Sequence, residues 1–256
     1  MKQRKKVAMA AAYRVGQYLL RTFRAGSNVC FSEKSPLDLV SEADKVAEKM
    51  LIENIQTNFP ADGILAEESG FIKSLSGYSW VIDPLDGTHN FLKGFTQFST
   101  AVALQKDGEV ILGICYFPVT GEFFLAEKGG GAFLSGFPIH VSPAANFKGE
   151  MFYSDSAVRH KPEEILRDIE RFCQAGCRLR VCGSSSFAFT RVAMGQASVT
   201  TNRSVKPWDV AASALLVEEA GGTVTDDCGN PWRIDSPNLL ATNGILHRQA
   251  LLLFQK

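Results

Sequence analysis

Apolar positions recur along the chain with two different periods, and the switches between them mark out helices and strands. Across residues 3–24, Val7, Ala11, Val15, Tyr18 and Leu19 share one broad helical face, and Ala25-Gly26-Ser27 stops the pattern. Residues 28–32 read as short and extended, and 34–36 as a loop. Ser41 is a good N-cap for a second helix, whose Ala43, Val46, Ala47, Met50, Leu51 and Ile55 keep helical spacing until Asn58-Phe59-Pro60. Apolar runs at 63–66 and 78–82 then read as buried strands. Residues 98–104 and 110–117, joined by Lys106-Asp107-Gly108-Glu109, read as a hairpin, followed by strands at 122–126 and 132–134.

From Pro162 the rhythm changes. Helices are predicted over 162–173, from Gly183-Ser184-Ser185-Ser186 to Met194, over 208–220 and over about 244–254. Between them fall strands at 178–182, 197–201, 223–225 and 239–241, and Gly221-Gly222 ends the third helix. Helices and strands mix throughout, which predicts an α+β or mixed αβ fold of layered sheets with helices between and outside them. No repeat or low-complexity linker divides the chain. It therefore reads as a single domain over 1–256, with an α+β half over about 1–145 and an α/β half over about 146–256.

Composition narrows the function. With 27 Lys+Arg against 27 Asp+Glu the formal net charge is zero, which removes any bulk electrostatic case for nucleic acid or an anionic membrane. The basic start (Lys2, Arg4, Lys5, Lys6) precedes an apolar run that is too short to span a bilayer and has no cleavage pattern, so it reads as a helix start. The six cysteines form no C-x-x-C pair or zinc-type cluster, and with no leader they point to a reducing, cytoplasmic setting. Cys173 and Cys177, four apart, read as one helix face used for packing. Gly129-Gly130-Gly131 lacks the Lys-Ser/Thr of a nucleotide loop and reads as a tight turn.

The candidate chemistry centres on residues 80–91, Trp-Val-Ile-Asp-Pro-Leu-Asp-Gly-Thr-His-Asn-Phe. Pro84 cannot donate to a ladder, so the strand should stop there and present Asp83 at its carboxyl end, with Asp86 three residues on. Gly87 allows close backbone approach, and the Gly87 and Thr88 amides would face an anion if a helical turn begins here. Taken alone, D-P-x-D-G is an ordinary turn. Two carboxylates beside an anion cradle make sense together only with cations between them, so the stretch reads as a magnesium and phosphate site. Glu67 follows the strand at 63–66 as Asp83 follows its own, and would emerge at the same sheet edge if the two strands are neighbours. Asp209 begins an apolar helix, where a capping acid is the plainer reading, and Asp38 and Asp44 flank a helix start, where the same applies.

The full set resembles the inositol monophosphatase family of magnesium-dependent phosphatases. The resemblance rests on Asp38-Leu39-Val40-Ser41 with Asp44, on Ala66-Glu67-Glu68-Ser69, on residues 80–91, and on Trp208-Asp209-Val210-Ala211-Ala212 with Glu219-Ala220-Gly221-Gly222. Residues 110–141, with Phe117-Pro118 and Lys128-Gly129-Gly130-Gly131-Ala132-Phe133, resemble its bacterial branch. What the resemblance implies is an αβαβα sandwich of the sugar-phosphatase type. It also implies two or three Mg²⁺ held by Glu67, Asp83, the Leu85 carbonyl, Asp86 and Asp209, lithium sensitivity and a homodimer. Asp44, Glu67 and Thr88 would act on a water activated by the ions, the Gly87 and Thr88 amides would hold phosphate, and no phosphoenzyme would form.

For the alcohol portion of the substrate the resemblance implies Gly183, Ser184 and Ser185, together with Asp86, Asp209 and the segment before Trp208. Family members acting on inositol phosphate carry a glutamate seven residues before the aspartate of the Trp-Asp motif, where this chain has Asn202. An amide still bonds hydroxyls but brings no charge, and Arg203 and Lys206 make the neighbourhood basic, which favours a substrate with a second anionic group unless the two are solvated surface charges. The expected substrate is a small soluble phosphate ester: inositol monophosphate or a related polyol phosphate, or alternatively fructose 1,6-bisphosphate, histidinol phosphate or 3′-phosphoadenosine 5′-phosphate. Some bacterial relatives also act in transcription antitermination, so transcription machinery is a second class of partner; no membrane partner is expected.

Overall fold

The computed structural model describes residues 1–26, 31–35, 38–154, 158 and 160–255, with 31–35 and 38–40 given by their backbone alone. The chain runs α1 (Lys2–Arg24), β1 (Phe31–Ser35), β2 (Asp38–Ser41), α2 (Glu42–Asn58), β3 (Gly63–Ala66), β4 (Gly70–Ile72), β5 (Tyr78–Asp86) and α3 (Thr88–Lys93). It continues through β6 (Ser99–Lys106), β7 (Glu109–Phe117), β8 (Glu122–Glu127), β9 (Gly131–Leu134) and β10 (Phe137–Pro138). The remainder is β11 (Met151–Ser154), α4 (Pro162–Gln174), β12 (Arg178–Val181), α5 (Ser185–Ala193), β13 (Val199–Arg203), α6 (Pro207–Glu219), β14 (Thr223–Thr225), β15 (Asn238–Thr242) and α7 (His247–Gln255). An eight-stranded sheet has the order β10-β9-β8-β7-β6-β5-β3-β4, and a five-stranded sheet β12-β11-β13-β15-β14.

Alternation along the strands builds the layers. Trp80, Ile82, Val102, Leu104, Leu112 and Ile114 face one side of the large sheet and pack on Ala8, Ala12, Val15 and Leu19 of α1 and Ala47, Leu51 and Ile55 of α2. Their neighbours Val81, Ala101, Ala103 and Cys115 face the other side, against Phe189 and Val192 of α5, Val210 and Leu215 of α6, and Leu239 and Ala241 of the small sheet. The far face of that sheet (Phe152, Val199, Leu240) is covered by Phe172 of α4 and Ala250 and Phe254 of α7. The result is the αβαβα sandwich. Both sheets are covered on both faces, which is why several strands read as unbroken apolar runs. Every residue of α6 from Val210 to Val217 is buried, as expected of a central helix. Gly113 admits it: a Cβ there would lie 2.3 Å from the Ala212 carbonyl oxygen. Among the described residues no helix is long and apolar enough to cross a membrane.

Several expectations need correction. β5 does not stop at Pro84: it continues to Asp86, pairing Asp83 with Ala101 and Asp86 with Ser99 across a register shift that takes up Pro84 and Leu85. The missing proline donor falls where the ladder is already interrupted. Lys34 and Ser35 belong to strand β1 rather than to a loop, while Pro36, Cys30 and the side chain of Asp38 lie outside the described residues. Cys177 lies beyond the end of α4 and is buried, whereas Cys173 is exposed on it, so the two do not share a helix face. The strand expected at 197–201 sits two residues later, which brings Asn202 and Arg203 into β13.

Candidate active site

The site forms where several element ends meet. β3 and β5 are parallel neighbours with Ala66 opposite Ile82, so Glu67, just past the end of β3, lies beside Asp83 of β5. Asp83 is 2% exposed. Burial pushes its carboxyl well above the usual carboxylate range, and the negative charges of Glu67, Asp86, Asp209 and Asp44 push it further the same way. Four carboxylates, from β5, α2, α6 and the end of β3, therefore act on Asp83. The sequence-predicted acids thus come together, with Leu85 buried between Asp83 and Asp86.

Each acid is held by its own element. Asp44 is 1% exposed and closes a capping box at the start of α2, accepting the Ser41 N–H at 2.9 Å and the Ser41 hydroxyl. Its Oδ1 accepts the Thr88 hydroxyl at 2.8 Å, and the same hydroxyl lies 3.1 Å from the Leu85 carbonyl oxygen. The Leu85 N–H donates to Asp83 Oδ1 at 3.0 Å. Asp209 sits in the first turn of α6, where its Oδ2 accepts the Lys206 N–H at 2.8 Å. The capping reading is correct for Asp209, and it does not exclude the site, because Asp209 also acts on Asp83.

Asp86 is bound by the start of α5: Oδ1 accepts the Ser185 N–H at 3.2 Å, and Oδ2 accepts the Ser186 N–H at 2.9 Å and the Ser184 hydroxyl. Burial raises its pKa while these bonds pull the other way. Gly183, with φ of 70°, turns the chain into this helix. The helical turn anticipated after Gly87 is α3, and Gly87 precedes it at φ of 91°. A Cβ at Gly87 would lie 2.8 Å from the Gln97 carbonyl oxygen, so only glycine fits.

The donor set suits a hard dication. Glu67, Asp83, Asp86, Asp209 and the Leu85 carbonyl offer only oxygen, and their mutual repulsion calls for positive charge. Cysteine chemistry does not fit: burial pushes the Cys182 thiol up to about 12 and the Cys115 thiol further, so neither supplies a thiolate near neutrality.

Asn202 and Arg203 both have partners inside the protein. Asn202 is buried, and its amide donates to Ser185 Oγ at 2.8 Å, which ties β13 to the start of α5. Arg203 is neither a solvated charge nor a source of positive field for substrate. It is 7% exposed, makes bonds of 2.9 and 2.8 Å to both oxygens of Asp168, donates to the Phe254 carbonyl at 2.8 Å and stacks on the Phe254 ring at 3.6 Å. Replacing it strands a buried carboxylate. Arg203→Ala is expected to cost about 3–5 kcal/mol in urea unfolding.

Sequence reasoning missed Asn90 and Glu48. Asn90 lies inside the central stretch, yet its role appears only in three dimensions: its amide donates to the Gln97 carbonyl at 2.6 Å and the Cys182 carbonyl at 2.7 Å, joining α3 to the Gly183 turn. Glu48 lies one helical turn after Asp44, a spacing that puts both on one face of α2.

The inositol monophosphatase family profile matches residues 1–256. The chain is 36% identical over 214 residues to a fructose-1,6-bisphosphatase/inositol-1-monophosphatase of Thermotoga maritima, covering 84% of this chain and 81% of that one. It is 33% identical over 252 residues to a histidinol-phosphatase of Chlorobaculum parvum, covering 96% and 94%. The solved structure of the extragenic suppressor protein suhB from Bartonella henselae superposes with a TM-score of 0.95 at 30% identity, covering 99% of each chain.

Proposed function

The chain belongs to the inositol monophosphatase family and is a phosphoric monoester hydrolase; from that premise we propose that it hydrolyses a small soluble phosphate ester with two or three Mg²⁺ bound at Glu67, Asp83, the Leu85 carbonyl, Asp86 and Asp209. The observation that carries this is the environment of Asp83, a buried carboxylate whose strongest electrostatic neighbours are four other carboxylates. When bound there, Mg²⁺ would supply positive charge to offset this repulsion, Lewis acidity toward the phosphate and a lowered pKa for water.

The chain's own groups do the rest. The Thr88 hydroxyl donates to Asp44, so its lone pairs are free to accept a proton from an attacking water while Asp44 takes the one it releases. Ser41 fixes Asp44 for that task, Glu67 orients the water, and the Gly87 and Thr88 amides at the start of α3 hold phosphate oxygens. Gly183, Ser184 and Ser185 border the leaving alcohol, with Asn202 acting through Ser185. We assign all of these residues to one catalytic unit spanning 1–256.

Because Asp168 neutralises Arg203, the case for a second anionic group on the substrate loses its main support. A polyol monophosphate or histidinol phosphate fits better than a bisphosphate. The test is phosphate release from inositol 1-phosphate, fructose 1,6-bisphosphate, histidinol phosphate and 3′-phosphoadenosine 5′-phosphate, with Mg²⁺ and with EDTA. Mg²⁺-dependent turnover of one ester is expected, and no release from any of them would sink the proposal. Millimolar lithium is expected to inhibit that turnover, and indifference to it would argue against the third metal position.

We further assign the protein to the cytoplasm as a homodimer, which light scattering in solution would check. A role beside transcription machinery is favoured only by relatives such as the Vibrio cholerae Nus factor SuhB. The basic start offers it little, since Arg4 is bound to Asp62 and Lys5 to Glu127 within the chain.

A further inference from the structure

α2 carries two buried carboxylates one turn apart, Asp44 and Glu48, the latter 2% exposed. They face different partners. Glu48 Oε2 accepts the Glu68 N–H at 2.8 Å, while Oε1 accepts the Ser69 N–H at 2.8 Å and the Ser69 hydroxyl at 2.5 Å. Glu48 is not among the acids that act most strongly on Asp83. Its oxygens are engaged with the turn that carries Glu67.

That turn is short, and Glu48 spans two of its three residues. Ala66 pairs with Gly70, so residues 67–69 are the whole connection between β3 and β4. β4 is a three-residue strand at the sheet edge, and Phe71 on it is 68% exposed, so the strand gains little from burying its own side chains. Two successive main-chain N–H groups and a hydroxyl form a concave donor set that suits a carboxylate, and an ionised acceptor makes such bonds about twice as strong as a neutral one.

We propose that Glu48 is a positioning residue that sets the Glu67 carboxylate for metal binding by clamping the β3–β4 turn. The proposal rests on the assignment of Glu67 as a metal ligand. In Glu48→Gln the side chain keeps its size, but one oxygen becomes an NH₂ donor facing an N–H or O–H donor, so the turn must shift. Glu48→Asp keeps the charge and shortens the reach by one methylene.

The test is calorimetric titration of wild type and both variants with Mg²⁺ alone, alongside metal-free melting and turnover at saturating Mg²⁺. Glu48→Gln is expected to raise the Mg²⁺ dissociation constant about tenfold, the size seen when a partner that orients a metal ligand is lost. Its kcat should largely return at saturating Mg²⁺, its metal-free melting should fall modestly with folding retained, and Glu48→Asp should fall between the two. A Mg²⁺ constant equal to that of wild type in folded Glu48→Gln overturns the proposal. So does failure of both variants to fold, which would make Glu48 a purely structural residue. If wild type itself binds no Mg²⁺, the metal-site assignment fails first and the clamp falls with it; normal wild-type binding with unaffected variants removes the clamp alone.

Discussion

Asp83→Asn is expected to abolish turnover and at the same time raise the melting temperature of the metal-free protein. The two effects share one cause. An asparagine fills the same space but cannot supply the negative oxygen a dication needs, so kcat/KM should fall by at least ~10³, or about 4 kcal/mol of transition-state stabilisation. The stability gain follows from linkage. Asp83 has a folded-state pKa raised by burial and by four acidic neighbours, so above the unfolded value of about 3.9 the folded protein holds a proton more tightly than the unfolded chain does. Its contribution to stability therefore falls as pH climbs from that value towards the folded one. Above that window wild type carries the full penalty and Asp83→Asn none of it. Even ~1 kcal/mol amounts to a rise of about 2–4 °C at neutral pH for a chain of this size, and the difference should shrink as the pH is lowered. Mg²⁺ should reverse the order by stabilising wild type alone. Calorimetry of both proteins across pH, with EDTA and with Mg²⁺, reads all of this. A variant that melts below wild type in EDTA at neutral pH would contradict the repulsive reading of the cluster.

The second large effect separates proton handling from metal binding. Asp44→Asn leaves Glu67, Asp83, Asp86 and Asp209 in place but replaces the carboxylate that the Thr88 hydroxyl donates to at 2.8 Å with an amide that cannot take up a proton. Loss of a positioned general base costs about 10²–10⁴ in rate, so kcat should fall in that range while the Mg²⁺ half-saturation changes little. Thr88→Ala should fall in the same range, and the double variant should lose little more than either single one, because the two groups act in series. Additive losses would place Asp44 and Thr88 in separate roles. Asparagine is preferred to alanine because its side-chain oxygen can still accept the Ser41 N–H at the start of α2.

Much of this was legible because it depends on local pattern. A mixed fold of layered sheets and helices follows from helical periods in α1, α2, α4 and α7 combined with apolar strands, the αβαβα order itself being what the family resemblance implied, and the carboxylates stand near element ends that the same pattern marks. The losses have physical reasons. β4, β10 and β11 are four residues or fewer and borrow their stability from neighbouring strands, so no period of their own identifies them. The run of β5 past Pro84 depends on a bulge that only pairing with β6 reveals. Arg203 read as a charge near substrate because the sequence does not show that Asp168, 35 residues away, meets it in the interior. Asn202 likewise shows its bond to Ser185 only after β13 and α5 are packed. Glu48 could have been found from its place one turn after Asp44, but its partners lie on a turn about 20 residues further along the chain.

The central claim is that the carboxylates around Asp83 hold the metal ions of a phosphomonoesterase. Anomalous diffraction from crystals soaked in Mn²⁺, a stand-in for Mg²⁺ with the same oxygen preference, tests it most directly. At least two peaks are predicted, within ~2.0–2.6 Å of oxygens from Glu67, Asp83, Asp86, Asp209 and the Leu85 carbonyl. Peaks confined to surface acids such as Asp226 and Asp227, with none beside Asp83, would contradict it.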